Sequence, residues 1–262
     1  MTIALLLDID GTLVEFADHP DAVSIDPGLV GLLDGLERAL AGALALVSGR
    51  QIATIDRLFA PRQYAAAGLH GLEIRAEPGQ AIEISEDTTL PALARDAIRS
   101  IAHAHPGIMI EDKVRTLALH YAADFTGRIA LERSLERVLQ DHAPGWTVQS
   151  GRLLLELRPA NVDKGLACER LMAFQPFAGR HPVIVGDDIT DLHAFSYVRR
   201  AGGLAVSVDE RIAHAADLRL DTPADARAWL VELYERLLDD PALGIDAVRI
   251  MKAKVHGPSP AG

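Results

Sequence analysis

Apolar residues cluster in short runs at Ile3–Leu7, 43–47, 182–185 and 204–208, the last interrupted only by Ser207. Runs without polar alternation read as strands buried on both faces, the signature of a parallel sheet. Between them the spacing changes to that of helices. Asp26-Pro27 offers an N-cap and a first-turn proline, followed by Leu29, Leu32, Leu33, Leu36 and Leu40. Ile52, Ile55, Leu58 and Phe59 mark a second helix, residues 165–174 a third, and Leu192, Phe195 and Val198 a fourth. Thr222-Pro223-Ala224-Asp225 resembles a capped start for a helix carrying Trp229, Leu230, Leu233 and Leu237. Strands alternating with helices predict an α/β, Rossmann-like parallel sheet covered on both faces.

The middle of the chain breaks this alternation. Thr89 is the expected cap of a helix with Leu93, Ala97, Ile98 and Ile101. Residues 107–111 and 116–121 read as paired strands, the second alternating around Leu117, Leu119 and Tyr121. Ile129, Leu135, Val138 and Leu139 suggest another helix. Segments 146–149 and 152–158 flank Ser150-Gly151, the expected hairpin turn. Helices with antiparallel strands predict an α+β unit inserted at 77–158, leaving 1–76 and 159–262 to build the parallel part. Residues 252–260 read as a frayed tail.

Composition narrows the function classes. The 262 residues are 49% hydrophobic and 24% charged, which fits a globular chain. A formal net charge of −11 disfavours nucleic acid as a partner. Cys168 is the single cysteine, so no disulfide framework forms within the chain. The apolar run at the start is short and lacks basic residues, so no secretory leader is expected. No stretch reaches the roughly 18 apolar residues of a membrane span. A cytoplasmic protein without membrane partners, monomeric by default, is the expectation.

The chemistry concentrates at strand ends. Asp8-Ile9-Asp10-Gly11-Thr12-Leu13 directly follows the first strand, where α/β sheets bind ligands. If the chain opens after Asp8, both carboxylates can converge on one site. Gly186-Asp187-Asp188-Ile189-Thr190-Asp191 follows another apolar strand. Two acidic clusters at neighbouring strand ends could share a hard cation, and oxygen-only ligation beside a phosphate points to Mg²⁺. Ser48 and the Gly49 amide stand at a third strand end, equally able to hold phosphate oxygens or to cap a helix. Lys164 opens a helix, where its charge opposes the dipole, a mild argument for an anionic partner.

These four segments together resemble the haloacid dehalogenase-like phosphatase superfamily. Further strings resemble its trehalose-6-phosphate phosphatase family: Val47-Ser48-Gly49-Arg50, Gly68-Leu69-His70-Gly71-Leu72-Glu73, Glu111-Asp112-Lys113, Leu117-Ala118-Leu119-His120-Tyr121, Glu156-Leu157-Arg158-Pro159 and Val162-Asp163-Lys164-Gly165. Ala122 and Leu192 stand where the family often has Arg and Glu. The resemblance implies a haloacid dehalogenase core with an inserted cap, hydrolysing a phosphosugar through an aspartyl-phosphate. It implies Asp8 as nucleophile and Asp10 as general acid and base, with Ser48 and Lys164 holding phosphate oxygens. Asp8, Asp10 and Asp187 would bind Mg²⁺, with Asp188 and Asp191 orienting metal waters or Lys164. Gly49, Arg50, His70, Glu111, Lys113 and Glu156 would contact the substrate. Glu156 also carries an argument of its own, since it faces opposite to Leu155 and Leu157 and either reads a sugar or meets solvent. Other phosphosugars, such as sucrose phosphate or mannosyl-phosphoglycerate, remain alternatives, as does a catalytically silent phosphosugar-binding module.

Overall fold

The computed structural model describes residues 2–16, 23–85, 89–151 and 153–251. They form two compact units, one comprising the chain up to Ile84 together with the chain from Asp163, the other Ser85–Val162. Strands β1 (Ile3–Leu7), β2 (Leu44–Val47), β3 (Ala65–Gly68), β4 (Glu73–Arg75) and β5 (Glu83–Ile84) belong to the first unit. Strands β6 (Met109–Asp112), β7 (Leu117–His120), β8 (Trp146–Gly151) and β9 (Leu154–Pro159) belong to the second. Strands β10 (His181–Gly186), β11 (Leu204–Ser207) and β12 (Leu218–Arg219) return to the first. The helices are α1 (Pro27–Ala39), α2 (Ile52–Leu58), α3 (Ala92–His103), α4 (Arg128–His142), α5 (Lys164–Met172), α6 (Leu192–Arg200), α7 (Pro223–Asp239) and α8 (Ile245–Arg249).

The larger unit holds an eight-stranded sheet ordered β12-β11-β10-β1-β2-β3-β4-β5. Its first six strands pair in parallel, and β4 and β5 add an antiparallel edge. Every residue of β1 is fully buried, as its unbroken apolar run requires. The caps form as expected, with Asp26 Oδ1 accepting from Gly28 N at 2.6 Å and Thr222 Oγ1 accepting from Asp225 N at 3.1 Å.

The edge strands β4 and β5 explain why the inserted unit starts at Ser85, whereas the alternation placed its start at 77. Charge hides β4, because its three residues are Glu73, Ile74 and Arg75, all buried. Glu73 accepts from Ile52 N at 2.7 Å. Arg75 donates to Asp56 and to the Tyr64 carbonyl. Paired in this way, both charges tolerate burial.

The smaller unit is a four-stranded antiparallel sheet, β6-β7-β9-β8, backed by α3 and α4. Leu117, Leu119, Leu155 and Leu157 point into its own core with Ile98, Leu131 and Leu135. Two local expectations are corrected. Pro91, and not Thr89, occupies the N-cap of α3, and no side chain caps it. Ser150 and Gly151 continue the ladder opposite Leu155 and Leu154, so the hairpin turn falls after them. The frayed-tail reading of 252–260 lies outside the described residues.

Two separate cores make a sharp expectation. Leu135→Ala should cost about 2–5 kcal/mol, as for other buried leucines. Hydrogen exchange should show faster exchange within 89–151 while β1 and β10 keep their protection.

Candidate active site

Strands β10, β1 and β2 are neighbours, so their carboxyl ends bring Asp187, Asp8 and Ser48 side by side. The strand geometry persists through Asp8, whose amide donates to the Val185 carbonyl at 3.0 Å. The chain then folds back, with Gly11 N donating to Val14 O at 2.8 Å and Leu13 N to Ile9 O at 2.9 Å. Gly11 adopts φ +80°, and a Cβ there would lie 2.3 Å from Asp187 Oδ2. Only glycine permits both the turn and this approach. Opening the chain after Asp8 is thus what the structure does.

Lys164 begins α5 behind its N-cap Asp163, whose Oδ1 accepts from Leu166 N at 2.9 Å. Its Nζ lies 2.8 Å from Asp8 Oδ1 and 2.7 Å from Asp191 Oδ1, and all three side chains are buried. Burial disfavours the lysine charge, but Asp191 and Asp8 outweigh it and hold the pKa above its ordinary value. Asp191 Oδ2 accepts from the amides of Asp187 and Asp188 at 3.2 and 3.1 Å. Asp188 completes a reciprocal capping box with Asp191. Thr12 Oγ1, fully buried, donates to Asp187 Oδ1 at 3.1 Å. Sequence reasoning passed over Thr12, although it stands within the first acidic string.

Asp8, Asp187 and Asp191 each present a carboxylate oxygen within 4.8 Å of the others. Both oxygens of Asp191 are already engaged by Lys164 and main-chain amides. Asp8 and Asp187 are therefore the carboxylates best placed to meet a cation. Burial, partly offset by Lys164, with repulsion from Asp191 and Asp10, pushes Asp8 up to about 7. Burial and repulsion from Asp8 and Asp191 push Asp187 up to about 9. Five carboxylates, Asp8, Asp10, Asp187, Asp188 and Asp191, crowd here against Lys164, Arg50 and Arg211. An oxygen-only, anion-rich site of this kind fits a hard divalent cation.

Ser48 is buried, and its Oγ accepts from Arg50 N at 3.2 Å. Gly49 leaves space that His70 uses, since a Cβ at 49 would lie 2.8 Å from His70 Nε2. His70 is buried in the left-handed region at φ 56°, a conformation that costs energy and often marks functional positions. Arg50 was expected to meet sugar. In this structure it grips Asp10 through two bonds, Nε to Oδ2 and Nη2 to Oδ1, each 2.7 Å. Cys168 is buried, and desolvation pushes its thiol up, which suits packing better than nucleophilic chemistry.

The smaller unit carries a separate polar row. Register aligns Glu111 with Ala118, Ala118 with Glu156, and Glu156 with Gln149 across its four strands. Lys113 Nζ lies 3.1 Å from Glu156 Oε1, which also accepts from Thr116 Oγ1 at 3.0 Å. His120 Nε2 bonds Glu111 Oε2 at 2.8 Å. Burial opposes ionisation of Glu111, but His120 and Lys113 prevail and hold it below its ordinary value. Glu111, Lys113 and Glu156 are thus brought together, His120, which like Glu156 faces opposite to its apolar neighbours, joins them, and Thr116 joins them unforeseen.

The trehalose-phosphatase family model matches residues 6–223. A probable trehalose-phosphate phosphatase of Sinorhizobium fredii is 40% identical over 205 residues, spanning 78% of this chain and 77% of that protein. The trehalose-6-phosphate phosphatase of Escherichia coli is 36% identical over 231 residues, spanning 87% and 85%. In fold, the C-terminal domain of the Candida albicans trehalose-6-phosphate phosphatase aligns with a TM-score of 0.77 at 22% identity, covering 89% of this chain and 92% of that one. No helix among the described residues is long and apolar enough to cross a membrane. With its acidic strings at the strand ends and the family match running across both units, the chain belongs to the trehalose-phosphatase family.

Proposed function

We propose that this chain hydrolyses trehalose 6-phosphate to trehalose and phosphate, using Asp8 as nucleophile. The observation that carries the reading is the buried Asp8–Lys164–Asp191 chain at the ends of β1 and β10. A carboxylate fixed on an ammonium group at a strand end is aimed and held without reorganisation when phosphate arrives. Asp8 attacks phosphorus as the bond to the sugar oxygen breaks, leaving an aspartyl-phosphate. Asp10 delivers a proton to the departing oxygen, then takes one from the water that cleaves the intermediate. Ser48, the Gly49 amide and Lys164 hold non-bridging oxygens. Asp191 keeps Lys164 in place, and Asp188 shapes the turn that presents Asp187.

Asp8, Asp187 and the main-chain carbonyl of Asp10 would hold Mg²⁺, which when bound offsets repulsion between carboxylates and phosphate. Glu111, Lys113, Glu156 and His70 would read sugar hydroxyls. Charged partners already hydrogen-bonded to one another favour ligands that replace those bonds and reject ligands that cannot. The acidic net charge is compatible with an anionic substrate, because Lys164 and a cation offset the carboxylate charge locally.

Phosphate release should be compared on trehalose 6-phosphate, sucrose 6-phosphate, glucose 6-phosphate and mannosyl-phosphoglycerate, with Mg²⁺ present or chelated. Trehalose 6-phosphate should be preferred and chelation should abolish turnover. In the same assay Asp8→Asn should lose at least about 10³-fold in kcat, as expected for a nucleophile. Turnover near that of the unaltered chain would remove Asp8 from the mechanism.

The cation also predicts a pH dependence. Asp8 and Asp187 bind protons more tightly in the folded state than at their ordinary value of 3.8. Their ionisation therefore weakens the cation-free fold as pH rises from about 4 through about 7 and about 9. Thermal melts should show a Tm gain on adding Mg²⁺ that grows between pH 6 and 9. A gain independent of pH would disconnect these carboxylates from the cation.

Glu156→Gln keeps the shape of the side chain and removes its charge. It should lower kcat/KM for trehalose 6-phosphate by about 100-fold, worth roughly 2.7 kcal/mol. Phenyl phosphate, which has no sugar hydroxyls, should change by less than about threefold on the same conversion. Equal losses on both substrates would exclude a sugar-reading role.

A further inference from the structure

The geometry points to Arg50 as a positioning residue that acts on the reaction through Asp10. This inference rests on Asp10 being the acid that protonates the leaving oxygen. Both nitrogens of one guanidinium edge bond both oxygens of the Asp10 carboxylate at 2.7 Å. Such a fork sets the plane of a carboxylate as well as its position, which a point charge does not. Asp10 needs this help. It sits beyond the end of β1, in the turn that Gly11 opens, and its side chain is 26% exposed where that of Asp8 is 6%.

Arg50 can hold Asp10 because its own loop is held. Ser48 Oγ accepts from Arg50 N at 3.2 Å. The turn Leu69–Gly71 grips the loop from the other side, with Leu69 N donating to Arg50 O at 3.0 Å and His70 N to Ser48 O at 3.1 Å. Leu69, His70 and Gly71 all have positive φ, at 48°, 56° and 106°. The strained turn aims two successive amides at the loop. Glu73 then takes the Ile52 amide at 2.7 Å, closing the brace at the start of α2. Arg170 Nη1 donates to Gly71 O at 2.7 Å, fastening the same turn to α5, the helix that begins with Lys164. One brace therefore fixes the groups around phosphorus and, through Arg50, the group that serves the leaving oxygen.

A sugar or phosphate contact by Arg50 would also lower activity when removed, so the test must read the leaving group. In the first half-reaction the Asp8–phosphorus bond forms, the phosphorus–oxygen bond breaks, and the proton of Asp10 passes to the departing oxygen. A disoriented Asp10 penalises poor leaving groups most. kcat/KM should be measured for phenyl phosphates of graded leaving-group acidity, none of which carries a sugar. Arg50→Gln should lose less than threefold on 4-nitrophenyl phosphate and at least tenfold on unsubstituted phenyl phosphate, steepening the dependence. Asp10→Asn should show the same steepening. Adding Arg50→Gln to Asp10→Asn should cost less than threefold more, because a residue acting through Asp10 has nothing left to act on. Arg50→Lys keeps the charge without the fork and should retain the steepened dependence.

An unchanged dependence in Arg50→Gln would overturn the inference. So would additive losses in the double variant, or full recovery in Arg50→Lys. These outcomes do not depend on which sugar is used. If the unaltered chain cleaves phenyl phosphates through Asp8 yet ignores trehalose 6-phosphate, the substrate reading falls and the role of Arg50 stands.

Discussion

The Lys164 ammonium lies between the carboxylates of Asp8 and Asp191, with all three side chains at most 6% exposed. Removing one member of such a group leaves an uncompensated buried charge, at a cost of about 3–5 kcal/mol. The rest of the site is arranged so that this group survives. Asp191 is held by two main-chain amides, Lys164 by its place at the head of α5, and Asp8 by the strand it ends. The parallel sheet supplies the frame, since three neighbouring strands end on one line. Asp187, next on that line, is buried and repelled by Asp8 and Asp191 more than Lys164 attracts it, and its pKa rises. A divalent cation would satisfy Asp187 and Asp8 together.

The smaller unit solves a different problem with simpler means. Its sheet turns leucines to α3 and α4 and acids to the other face, so each strand needs only alternation. Ala118 stands between Glu111 and Glu156 in the register. A small residue there leaves room for Lys113 to approach both glutamates, at 3.9 and 3.1 Å. The row is thus a set of side chains already bonded to one another, and a polyhydroxyl ligand could exchange those bonds for its own.

The parts of this design that obey one-dimensional rules were legible in the sequence. Strands β1, β2, β10 and β11 announced themselves as apolar runs, and Asp26 and Thr222 as caps. Asp8, Asp187 and Lys164 were marked by standing next to such elements. The opposite facing of Glu156 and Leu155 followed from the two-residue period of a strand. What escaped detection depends on partners distant in the chain. β4 was hidden because Glu73 and Arg75 look like surface residues until Ile52, Asp56 and Tyr64 satisfy them. The grip of Arg50 on Asp10 spans forty residues, and no local pattern reports it. Thr12 was missed because its partner, Asp187, is 175 positions away. The start of the insert moved for the same reason, since strand pairing and not composition decides where the larger unit stops.

The order of the strands has a consequence for how the site comes into being. β1 lies at the centre of the large sheet, yet Leu5 pairs with Val183 on one side and Leu44 on the other. The first partner lies far along the chain and the second is close. As the chain is made, β1, β2 and β3 can associate early, and Ser85–Val162 is contiguous and closes its own core. The edge of β1 that receives β10 must wait through that whole interval, with unpaired amides and Asp8 uncompensated. Contacts of such long range form late and slowly. Lys164, Asp187 and Asp191 all lie beyond that interval, so the chain acquires Asp8 first and the groups that offset its charge only after the Ser85–Val162 unit. An incomplete chain therefore carries an exposed sheet edge and no working centre, which makes the closing of β10 onto β1 the step at which folding and competence coincide.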